Sequence, residues 1–134
     1  MDNIQDDFFG TLEWNDDFQE WNGFYKDTFG VSVPTDYIDS IEIRQHIQTT
    51  VAIIARDELS FREKAATELF EDGGYVLFWE DDREFDRAEF VREMCLAYVV
   101  FGDNEILLSY AYNEYEEHDI SIMLSRDGEY KYAQ

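Results

Sequence analysis

The chain has 134 residues, with 32 Asp and Glu against 10 Lys and Arg, which gives a formal net charge of -22. A field of that sign repels nucleic acid and anionic lipid and speeds encounter with basic proteins, so no direct nucleic-acid binding and no membrane binding are expected. Apolar residues at 45% and aromatics at 17% separate the chain from a disordered acidic tail and predict one folded domain, residues 1–134, with a hydrophobic core.

In chain order, FFGTLEW at 8–14 sets Phe8, Gly10, Leu12 and Trp14 in alternation with Phe9, Thr11 and Glu13, the period of a strand. NDD at 15–17 supplies a turn. A second extended segment falls within EWNGFYKDTF, with Gly23 read as a bulge, and VSV at 31–33 is a third short strand before the only proline, Pro34. The pattern then changes. Ile43, Ile47, Val51 and Ile54 line one face of a helix from about Ser40 to Ala55, with Asp39 and Glu42 as its start. Ser60 and Glu63 have the spacing of a capping box, which predicts a second helix carrying Phe61, Ala65 and Leu69 and ending at DGG, 72–74. YVLFW at 75–79 is too short for periodicity to assign. A third helix starts at Asp86, its apolar face formed by Phe90, Val91, Met94 and Cys95.

The last third reads as β structure: LAYVVFG, a GDN turn, EILLSYAY, then DISIML, an RDG turn and EYKYAQ. Strands, then helices, then strands, without regular βαβ alternation, predict an α+β fold: an antiparallel sheet, made of an N-terminal meander and C-terminal strands, covered by two or three helices.

Catalytic signatures are missing from the sequence. It has no HExxH, no CxxC, no GxSxG and no phosphate-binding glycine loop. His46 lies one position off the apolar helix face and His118 sits in the acidic turn EYEEHD, so both read as surface or boundary residues. Cys95, the single cysteine, reads as a buried thiol in a helix, and the compartment as reducing. MDNIQDDFFGTLEW lacks the basic and apolar regions of a leader, which predicts a cytoplasmic location. Carboxylates abound, yet EDDRE and EYEEHD lack the spacing and central glycine of a calcium loop, so no metal and no cofactor are expected.

What the acids do form is clusters beside aromatics. Trp79 stands next to Glu80, Asp81, Asp82 and Glu84, and Tyr112 and Tyr115 stand among Glu114, Glu116 and Glu117. Solubility alone requires a negative surface but not this clustering. Aromatic anchors beside carboxylates are the parts of an interface for a cationic protein, so these residues are the candidate partner-binding set. The other readings are a DNA mimic, in which carboxylates replace phosphates to block a defence protein, and a hydrolase built on paired carboxylates.

From LSFREKAATELFEDGGYVLFW through FDRAEFVREMCLAYVVF to EHDISIMLSRDGEYKYAQ, the chain resembles a bacterial family, the domain of unknown function numbered 2262. The shared features are a helix leading to a Trp, an acid-Phe helix start and a C-terminal strand pair of the form HxIxVxxDxDG. His118, Ile120, Ile122, Asp127 and Gly128 match that last pattern, while Ser125 replaces an acid and Glu117 stands where glycine is common. FGTLEWN, from Phe9 to Asn15, resembles the family's opening strand. The resemblance supplies no catalytic residue. Small acidic domains of this type are similar to immunity proteins of bacterial toxin systems, which implies a non-enzymatic inhibitor of a basic toxin, nuclease or defence effector.

Overall fold

A computed structural model describes residues 2–72, 87–112 and 120–134. Eight strands form one sheet in chain order: β1 (Ile4–Asp6), β2 (Gly10–Asn15), β3 (Glu20–Tyr25), β4 (Phe29–Pro34), β5 (Met94–Phe101), β6 (Glu105–Tyr112), β7 (Ile120–Ser125) and β8 (Tyr130–Ala133). Neighbours are antiparallel except β4 and β5, which run parallel with Val31 opposite Val99. A parallel pair requires a crossover. Between these two strands lie α1 (Asp36–Asp39), α2 (Ile41–Ala66), a π-helical segment (Thr67–Asp72) and α3 (Arg87–Glu93). The mixed α and β character agrees with the sequence reading, as do both meanders. The wholly antiparallel sheet does not, because one β-α-β connection joins the two halves.

Local chemistry sets the hairpins. Asp6 accepts from the backbone N–H groups of Phe8 and Phe9 at 3.1 and 2.9 Å, closing the β1–β2 turn. Lys26 and Asp27, at φ 45° and 56°, give the β3–β4 turn the left-handed pair of conformations that matches strand twist. Gly23 is not a bulge: β3 pairs regularly with β4 through it, Gly23 opposite Val31. It is glycine for closeness, since a Cβ there would lie 2.7 Å from Leu12 Cδ2. The irregularities fall elsewhere, between Leu96 and Tyr98 on β5 and between Met123 and Leu124 on β7.

The two helices expected on either side of Ser60 are one. Ile47, Val51, Ile54, Phe61 and Ala65 are buried along α2 at a spacing that never loses phase, and neither glycine nor proline interrupts it. Glu58 occupies the missing position of that stripe, held by Arg62 at 2.8 Å, so the capping-box residues are exposed mid-helix positions. The helix start is Ser40 itself, whose hydroxyl accepts from the Ile43 N–H at 3.2 Å; Asp39 ends α1. At the other end of the connection, Phe90 and Val91 are buried on α3, but Met94 and Cys95 already belong to β5. Strand alternation sends Met94 and Leu96 inward and leaves Cys95 exposed, contrary to the buried thiol expected of a helix.

The core lies between α2 and the inward sheet face. Leu12, Val31, Val33, Val99, Leu108, Ile122 and Leu124 are fully buried there with Val51 and Ile54, each removal from water contributing about 1.5–3 kcal/mol. No helix among the described residues is long and apolar enough to cross a membrane.

Candidate partner-binding site

Strand direction decides which turns are neighbours. Because β4 and β5 are parallel, the β2–β3 turn, the β4–α2 connection, the β5–β6 turn and the β7–β8 turn all lie at one end of the sheet. Two contacts tie them together. Thr35 after β4 donates to the Gln19 carbonyl of the β2–β3 turn at 3.5 Å, and His46 on α2 donates from Nε2 to the Arg126 carbonyl of the β7–β8 turn at 2.9 Å. The second bond leaves Nδ1 as the acceptor of the neutral ring.

This rim is acidic. Asp16, Asp17, Asp36, Asp39, Asp103, Asp127 and Glu129 are exposed on it, with Glu20 and Glu105 half-buried. Phe18 projects among them at 74% exposure. The rim's cations are mostly committed. Lys131 pairs with Glu105 at 2.7 Å, and Arg44 turns back to donate to the carbonyls of Tyr37 and Ile38 at the end of α1 while lying 5.9 Å from the Tyr37 ring.

Each turn is built to hold its shape. Asn15 accepts from the N–H groups of Asp17 and Phe18 at 3.1 and 3.3 Å, and Gln19 adopts φ 54° and donates to the Asp16 carbonyl at 2.7 Å. On the flanking strands Trp14 and Trp21 pack edge to face at 5.2 Å, and Trp14 donates to the Asp16 carboxylate at 3.2 Å. Phe18 thus stands on a turn whose backbone is held by Asn15 and Gln19, which lowers the entropy lost if it inserts into a partner. The β7–β8 turn is closed by bonds between Gly128 and Ser125 at 3.0 Å and between Ser125 and Glu129 at 2.7 Å. Gly128 adopts φ +89°, and a Cβ there would lie 3.4 Å from Thr50 Cγ2 and 3.5 Å from Ile53 Cγ2 of α2.

Between these elements opens a cleft of about 130 Å³, lined by Pro34, Asp36, Ile43, His46, Ile47, Phe101, Gly102, Asp103, Ile106 and Arg126. It sits at the carboxyl ends of the parallel pair, where open sheets containing parallel strands commonly place a ligand crevice. The arrangement can attract and hold positive charge. Among the described residues no group of three or more His, Cys, Asp or Glu is placed to hold a metal ion.

Trp79, Glu80, Asp81, Asp82, Glu84, Glu114, Tyr115, Glu116 and Glu117 lie outside the described residues, as does His118. Tyr112 ends β6 opposite Met94, at the other end of the sheet from the rim. The sequence reading missed Asp16, Asp17, Phe18, Asp36, Asp103 and Asp127 as site residues, although NDD, GDN and RDG were legible as turns. The signal that unites them is strand direction, not local composition. A scan against protein-family models finds no matching family, and searches of curated proteins and of solved structures find no match.

Proposed function

We propose that the chain is a non-enzymatic binding protein that neutralises a basic partner, an immunity-type inhibitor of a toxin or nuclease. The observation that carries this is the rim: three turns and the β4–α2 connection at one end of the sheet carry exposed carboxylates, and the β2–β3 turn among them carries the exposed Phe18. Acids in that number steer a cationic surface into contact, and a pre-organised aromatic among them supplies the desolvated anchor that charge alone lacks. The carboxylates come from separate turns rather than one continuous row, which fits a compact patch for one partner better than a phosphate-like track. The resemblance that the sequence suggests to the family of unknown function numbered 2262, and through it to immunity proteins, would imply the same role.

The test uses immobilised protein to capture partners from the source cell, followed by binding kinetics and inhibition assays on the purified partner. Replacing Asp16, Asp17, Asp39 and Asp127 together by Asn keeps shape and removes charge; the on-rate should fall at least tenfold at low salt and the salt dependence should flatten. Phe18→Ala should speed dissociation instead. The triples Asp81→Asn, Asp82→Asn, Glu84→Gln and Glu114→Gln, Glu116→Gln, Glu117→Gln measure the two sequence clusters on the same scale. Unchanged kinetics in the rim variant, or a captured partner without a cationic surface, would sink the proposal.

A further inference from the structure

We propose that the rim cleft is a socket for one cationic side chain, the lysine or arginine with which a basic partner leads; this rests on the reading above and names its contact. Size selects a single side chain. A volume of about 130 Å³ is well below the ~300–1,000 Å³ of sites for drug-sized molecules.

Chemistry selects a long cation. Ile47, Phe101 and Ile106, all buried core residues, give the cleft an apolar floor, while Asp36 from α1 and Asp103 from the β5–β6 turn are exposed and add two carboxylates. A lysine or arginine buries its methylene stem on such a surface and keeps its charged end at the carboxylates. His46 is held by the Arg126 carbonyl and keeps the β7–β8 side of the cleft in place. Among the described residues that line the cleft, Arg126 is the one of opposite sign to the two aspartates. It competes with an incoming cation, and it would be the main attraction for an incoming anion, so its removal distinguishes the two.

The probe is N-acetyl-lysine methylamide, titrated into isotope-labelled protein and followed by the methyl signals of Ile47 and Ile106 and the ring signals of His46. The expected result is a saturable shift that the uncharged N-acetyl-norleucine methylamide does not reproduce. Replacing Asp36 and Asp103 together by Asn should weaken the lysine probe about threefold to tenfold, the worth of two exposed ion pairs. Arg126→Ala should tighten it about twofold. All three side chains are exposed, and unchanged amide spectra verify that the variants fold. Equal binding of the norleucine probe, no saturable shift, or acetate binding that Arg126→Ala abolishes would each overturn the socket. The Asp16, Asp17, Asp39 and Asp127 set leaves the cleft residues intact and so separates the two ideas. Impaired partner association in that set with no response to the lysine probe removes the socket alone, whereas a responsive cleft with unchanged partner kinetics in that set removes the broader reading.

Discussion

The helix-covered face of the sheet and the rim at its end use the same strands for opposite purposes. On the covered face Leu108, Ile122 and Leu124 are fully removed from water and even the phenol groups are inside, Tyr37 at 0% exposure and Tyr110 at 1%. One and two residues past the end of β7, Arg126 and Asp127 are exposed, and the turn is fixed by its own backbone bonds. Stability is thus concentrated in the covered face, which leaves the rim free to concentrate charge that would otherwise be disfavoured by self-repulsion.

The strongest way to break the covered face is alkali. Burial pushes the hydroxyls of Tyr37, Tyr110 and Tyr130 well above the ordinary 10.0, reinforced by Asp6, Glu58 and Glu68 respectively. Tyr37 donates to Asp6 at 2.9 Å, and Tyr130 donates to Glu68 of the π-helical segment. A raised folded-state value means that the stabilisation is complete below the unfolded tyrosine value and is lost as pH climbs from about 10 toward the folded values. Above about pH 10 the melting temperature should fall steeply, with a step in phenolate absorbance that coincides with loss of far-ultraviolet circular dichroism. Ionisation of all three phenols with the fold intact would contradict their burial.

Truncation comes next. Leu124→Ala should cost about 2–5 kcal/mol in urea melts, because the surrounding residues cannot fill the cavity, whereas Asp127→Asn on the adjoining turn should stay within about 0.5 kcal/mol. Equal costs would erase the contrast between face and rim. Gly23→Ala tests close packing from the other direction. Its Cβ would meet Leu12, which is fully buried and has nowhere to retreat, so a loss of about 1–3 kcal/mol is expected. The companion change Leu12→Val should recover part of it.

Smaller effects sharpen the picture at its edges. Ser40→Ala removes the cap of α2 beside the rim and should cost about 1 kcal/mol; no change would mean that Asp39 or solvent replaces the hydroxyl. Neutralising Asp16, Asp17, Asp39 and Asp127 should leave stability unchanged or raise it by up to about 0.5 kcal/mol, and the melting temperature of the parent protein should rise as salt goes from very low to moderate concentration. A fall in either case would show that the rim acids stabilise the fold through partners of their own.

Element type was largely legible because it depends on short-range periodicity. LEW, EWNGFY, EILLSYAY and ISIML alternate and became strands, and the buried stripe from Ile47 to Ala65 became helix. The errors arose where a local signal competed with a longer one. Ser60 and Glu63 resemble a cap, yet the apolar stripe runs through them in phase; Met94 and Cys95 extend a helical spacing, yet pairing with Tyr112 and Ala111 draws them into β5.

The sequence by itself determined the charge, the β-α-β order of the chain, the turns at NDD, GDN and RDG, and the apolar stripe that builds the core, because each depends on residue type within a few positions. Only the tertiary structure decided where those turns meet. Had β5 paired antiparallel to β4, the GDN and RDG turns would lie at the opposite end of the sheet from NDD and Asp36. A parallel pair reverses that parity, and it pairs residues as far apart in the chain as Val31 and Val99. That long-range pairing leaves no periodic trace in the chain, and it brings acids from distant turns to the same end of the sheet as Phe18 and the cleft.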